Sequence, residues 1–177
     1  MNKSYKVFIS LFIFFLFCYP LKANSQTKIA ILNMEFLMEK SLAGKSIKKQ
    51  LDDLRKKDIN SFKKTENNLK EDEQKLIAQK NVLSAEDFKK KISLLRESLK
   101  KYNLERSEKI NSLKNKRNSS ITTLLKEINP ILTEFAKTNE ITLIIDKRYI
   151  ILGKNELDIT DQILKILDKK IKKIKLK

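Results

Sequence analysis

The chain has 177 residues, with 39 Lys and Arg against 22 Asp and Glu, a formal net charge of +17, and neither His nor Trp. One Cys and two Gly exclude a disulfide framework, a Cys/His metal site and a fold built from many tight turns. Positive charge on this scale speaks of partners and not of fold: nucleic acid, lipid headgroups and acidic polypeptides are all attracted.

Lys3 and Lys6 precede an apolar run from Val7 to Phe17 that is interrupted only by Ser10. A bilayer-spanning helix needs about 20 apolar residues, so this run is too short to span. It has the length and basic flank of a signal-peptide core. Pro20 ends it and Ala23 supplies a small residue for cleavage, so residues 1–23 read as a signal peptide and 24–177 as one exported domain. The alternatives are a retained N-terminal anchor and a lipoprotein modified at Cys18. The bulky Phe17 argues against the second. Cleavage removes the only thiol, and export to the periplasm makes nucleic acid the least available anionic partner; none is expected.

Lys28 to Asn33, K-I-A-I-L-N, reads as a strand. From residue 35 to 138 Gly and Pro nearly vanish and apolar residues recur at coiled-coil spacing. The first seam is Ile47, Leu51, Leu54, Asp58, Phe62, Thr65, Leu69, Asp72, Leu76. The second is Phe88, Ile92, Leu95, Leu99, Tyr102, Arg106, Lys109, Leu113, Arg117, Ile121, Leu124, Ile128, Ile131, Phe135. Polar residues at several seam positions predict a bendable, partly wet pairing. Between the seams, Ser84 followed by Glu86 and Asp87 is a helix start, because Ser caps the first turn and the acids complement the helix N-terminus. One helix ends near Asn81 and a second begins near Ala85. The short connection makes them antiparallel neighbours in a helical hairpin.

Ile141 to Asp146 and Tyr149 to Leu152 read as two further strands joined by a turn at Asp146-Lys147-Arg148. Thr160 is the expected N-cap of a last helix. The strands are apolar on both faces, which implies burial from both sides, and three short strands are marginal alone. Several copies are therefore expected to share them, with Ile29, Ile31, Leu143, Ile145, Ile150 and Leu152 as the oligomer core. The domain divides into a β core at 28–34 and 139–168, an arm at 35–138 and a basic extension at 169–177. The last helix, with Ile163, Leu164, Ile166, Leu167, Ile171 and Ile174 among lysines, admits anionic lipid or lipopolysaccharide as a further partner. The preferred reading packs its first half on the core and leaves the lysine tail frayed.

No catalytic set and no cofactor site is legible, and no enzymatic activity is expected. Asp52/Asp53 and Glu71/Asp72/Glu73 lie among lysines as solvated faces. Ser119 and Ser120 near Lys126 read as helix-surface serines and not as a Ser/Lys dyad. The Lys and Arg clusters are candidates for contact with a client polypeptide: Lys89, Lys90, Lys100, Lys101, Lys114 and Arg117.

Lys28 to Met34, Leu83-Ser84-Ala85-Glu86, Ile141 to Asp146, Tyr149 to Leu152 and Asp158 to Leu164 resemble, in order, the opening strand, arm tip and closing segment of the Skp/OmpH family of periplasmic chaperones. The resemblance implies a mainly α fold with small β content. In it, three chains share a β core and project coiled-coil tentacles around a cavity. It also implies ATP-independent holding of unfolded outer-membrane proteins. The extension Lys169 to Lys177 departs from that pattern. The competing classes are a basic envelope coiled coil with a structural or tethering role, and a histone-like nucleic-acid-binding protein.

Overall fold

The computed structural model describes residues 27–176, so the signal segment expected at 1–23, with Cys18, lies outside the described residues. Strands β1 (Ile29–Leu32) and β2 (Leu143–Asp146) pair in parallel, Ile29 opposite Leu143 and Leu32 opposite Asp146. Parallel neighbours need a crossover connection, and here it is the whole arm. The two ends of the arm therefore meet at the sheet, as the sequence implied.

Asn33 ends β1 and caps α1 (Met34–Lys40), its side-chain oxygen accepting from the Phe36 N–H at 2.9 Å. The arm expected from residue 35 begins instead at α2 (Leu42–Ala78), because the chain turns at Ser41. Ser41 is fully buried and its hydroxyl accepts from the Gly44 N–H at 3.0 Å, while the Leu42 N–H donates to Asp168 Oδ1 at 2.7 Å. Both satisfy first-turn donors that a helix start leaves free. Gly44 is required here: a Cβ would lie 1.9 Å from the Met38 carbonyl oxygen, so the elbow closes only around a bare backbone.

Helix α3 (Ala85–Thr138) starts as expected, with the Ser84 hydroxyl accepting from the Asp87 N–H at 3.1 Å and donating to Asp87 Oδ2 at 2.6 Å. At 1.5 Å per residue α2 is ~55 Å long and α3 ~80 Å. Helix α3 runs through Pro130 to the hub. There Leu124 and Ile128 of α3, Leu37 of α1, and Ile163 and Leu167 of α4 (Thr160–Lys170) have no solvent exposure and form one cluster. Each such side chain contributes about 1.5–3 kcal/mol by burial.

Three expectations are corrected here. Tyr149 to Leu152 is not a strand. The Asp146 carboxylate accepts from the Arg148 N–H at 3.0 Å and caps a 3-10 turn, Lys147–Tyr149, that steers the chain away from β2. The loop instead returns over β1, where the Ile159 N–H donates to the Ile31 carbonyl at 2.9 Å. Thr160 is the first helical residue and not the cap. Its hydroxyl accepts from the Asn33 N–H at 2.9 Å and donates to Asp158. The tail is not frayed. Ile174 is buried, Ile171 and Leu176 pack on the core, and Gln50 Nε2 donates to the Ile174 carbonyl at 2.7 Å.

Candidate functional site

The register sorts the sheet residues by face. Ala30, Leu32 and Ile144 join the hub cluster. Ile29, Ile31, Leu143 and Ile145 occupy the opposite face, because neighbours along a strand alternate sides. Four of the six expected core residues thus share one surface. Ile31 on it is buried, its Cδ1 2.8 Å from where a Cβ on Gly153 would stand. Ile29 is 38 % exposed, Leu143 49 % and Leu152 93 %, so this face and the following loop leave apolar surface in water within one chain. Ile145 and Ile150 are half-buried.

Two carboxylates brace the rim of this surface. Arg148 hydrogen bonds and charge hold Asp146 below the usual carboxylate range. Burial pushes Asp158 up, but hydrogen bonds from Lys147 and Thr160 outweigh it and hold the group low.

Along the arm, Lys89, Lys90, Lys100, Lys101, Lys114 and Arg117 are all exposed, and none makes an ion pair or hydrogen bond among the described residues. The structure does not gather them. Lys89 and Lys90 stand near the tip and Lys100 and Lys101 lie midway, whereas Lys114 and Arg117 stand over a groove. The mid-arm seam is closed by Phe62 and Tyr102, edge to face at 6.1 Å, and by the Tyr102 hydroxyl on Glu66, a bond that raises the Tyr102 pKa. Toward the hub, Arg106, Lys109 and Arg117 occupy seam positions and remain exposed. Their long charged side chains are not buried without partners. Ser120 takes the inward place, 2 % exposed, its hydroxyl bonded to the Lys116 carbonyl, which corrects its reading as a surface serine.

The result is a groove of about 680 Å³ between α2 and α3. Its floor is Met38, Ile47, Leu51, Leu113, Ile121 and Leu124. Its rim carries Lys48, Arg55, Lys114 and Arg117 against Glu35, Glu39 and Asp52. Sequence reasoning identified Lys114 and Arg117 but missed the groove. Its signal was the run of polar seam residues on one helix facing Ile47 and Leu51 on the other. Among the described residues no helix is long and apolar enough to cross a membrane, and no cluster of acidic residues could hold a metal ion.

Residues 28–167 match the family model of outer membrane proteins described as OmpH-like. Among solved structures, the fold is similar to that of a Caulobacter crescentus CB15 protein provisionally described as an outer membrane chaperone (OmpH-like). The TM-score is 0.80 at 16 % identity, covering 84 % of this chain and 88 % of that one. No curated protein matches the sequence.

Proposed function

The chain belongs to the OmpH-like family of outer membrane proteins, and from that premise we propose that it is a non-enzymatic periplasmic chaperone that holds unfolded outer-membrane proteins without ATP. Three copies share the open face of the sheet, burying Ile29, Leu143, Ile145 and the Ile150–Leu152 loop, and their arms enclose the client. The observation that carries this reading is a long arm with more cations than acids, on which Lys89, Lys90, Lys100, Lys101, Lys114 and Arg117 make no ion pair among the described residues. Such charge attracts a polypeptide at long range and, being non-directional, leaves it mobile. The description of the Caulobacter crescentus protein as an outer membrane chaperone supports the same reading.

The test is to dilute a urea-unfolded β-barrel protein into the purified mature chain and follow light scattering after size exclusion. A soluble complex at near-stoichiometric ratio, formed without nucleotide, is expected. Unchanged aggregation would overturn the chaperone reading. A stable monomer at micromolar concentration would overturn the trimer.

A further inference from the structure

The groove at the foot of the arm has properties that long-range attraction does not require. Its floor is apolar over the stretch Ile110 to Leu124 of α3, ~21 Å of helix. Of its acids, Glu39 is bonded to Lys40 at 2.9 Å. Glu35 and Asp52 make no ion pair among the described residues, and neither do Arg55, Lys114 and Arg117. An apolar floor beneath cations that make no ion pair complements a ligand that is apolar on one side and anionic on the other.

Resting on the chaperone reading, we propose that this groove is a binding site within each single arm for extended client segments of alternating apolar and acidic residues. A strand rises about 3.3 Å per residue and sends alternate side chains to opposite faces, so some six residues span the floor. Their apolar side chains would meet Leu51, Leu113 and Ile121 while their carboxylates meet Arg55, Lys114 and Arg117. Membrane β-barrel strands alternate apolar and polar residues, and those whose polar residues are acidic match the groove. The arm would thus hold a client by many short segments, each sampled separately, as well as by enclosure.

The test uses the full mature protein and fluorescent ten-residue peptides of alternating valine and aspartate, of alternating valine and lysine, and of the same valines and aspartates in two blocks. The variant K114E/R117E reverses two exposed groove charges. K63E/K64E makes the same change in net charge at exposed arm residues that line no groove. Circular dichroism and light scattering check that both keep the wild-type fold and assembly. The expected result is that wild type prefers the alternating acidic peptide, that K114E/R117E weakens it at least tenfold, and that K63E/K64E weakens it less than threefold. Equal losses in the two variants would mean a general field effect and overturn the site, as would indifference to alternation. Anionic phospholipid vesicles form a further arm: if they bind wild type, displace the peptide, and lose affinity for K114E/R117E in parallel, the groove is a lipid site and the peptide assignment falls. The aggregation assay runs beside these measurements. Loss of the peptide site with wild-type suppression of aggregation intact refutes the groove alone, whereas failure of wild type to suppress aggregation refutes the reading on which it rests.

Discussion

The hub and the arm are built from the same few residue types and end up physically unlike. In the hub, Leu37, Leu124, Ile163 and Leu167 come from three helices and are sealed from water. In the arm only Leu76, Tyr102 and Ser120 reach burial between Leu51 and Ile121, and Leu94, Leu99, Leu104 and Ile110 stay largely in water. Two helices present one narrow stripe each and cannot surround a side chain, whereas a third layer can. The difference teaches where stability and adaptability lie. Substitutions at the hub should unfold the protein, and substitutions on the arm should alter what it does.

The largest expected effect is at the elbow. Gly44→Ala forces a Cβ against the Met38 carbonyl, so either the α1–α2 turn opens or α2 shifts. A loss of at least about 3 kcal/mol is expected in urea titration. Leu124→Ala should cost about 2–5 kcal/mol, whereas Leu99→Ala, on a residue 42 % exposed, should cost under about 1 kcal/mol. Equal costs would erase the hub–arm distinction. Next is the tail. Removing residues 171–177 exposes core beneath Ile171, Ile174 and Leu176 and leaves Gln50 without its backbone partner. About 2–4 kcal/mol should be lost, with the midpoint of thermal unfolding falling accordingly.

A pH scan sharpens the comparison further. Asp146 and Asp158 have folded pKa values below their unfolded values, so their stabilisation is present above the unfolded carboxylate pKa of about 3.9 and is lost as pH falls through the folded values. The hub should therefore weaken as pH drops below about 4, and Asp158→Asn should flatten that limb while lowering stability at pH 7. The smallest effect on stability, under about 0.5 kcal/mol, is expected for Lys89, Lys90, Lys100 and Lys101 changed together to Gln. Their expected effect is kinetic. Client association measured by stopped flow should slow at low salt to the rate that wild type shows at high salt, where the screening length shrinks from ~8 Å to ~3 Å. Identical low-salt rates would remove these four positions from client capture.

Much of this architecture is legible in the residues. Ser84 with two following acids marks the tip because its hydroxyl serves a local first-turn donor. The seam from Ile47 to Leu76 is periodic because one face of α2 meets one neighbour. That the two ends of the arm meet follows once the arm doubles back, whereas the parallel direction of the β1–β2 pairing does not. What stayed hidden depends on contacts distant in sequence. Ser41 and Gly44 form an elbow because Asp168 reaches the Leu42 N–H across 126 residues. Ile150–Leu152 has strand-forming residues but no strand beside it in one chain. The tail looked like a solvated lysine run because its three apolar residues pack on a hub that no local pattern describes. The groove is an absence of contact between two helices, and periodicity alone does not separate a gap from a wet seam. Arg117 at a seam position was the warning.

Pairing of the first strand with one made 110 residues later also sets an order of events in folding. Joining Ile29 to Leu143 through an open chain costs loop-closure entropy that grows with the logarithm of its length. The contacts nearest in sequence lie at the opposite end of the molecule, where Lys91 Nζ reaches Gln79 Oε1 at 2.7 Å beside the Ser84 cap. Zipping from that tip brings residue 42 toward the foot of α3 one turn at a time, so the sheet closes last over a gap already made short. Substituting Ser84 should then slow refolding, while substituting Ile145 should leave refolding nearly unchanged and speed unfolding. Until that last step β1 waits as an unpaired apolar strand, and it is the first of the described elements to be synthesised.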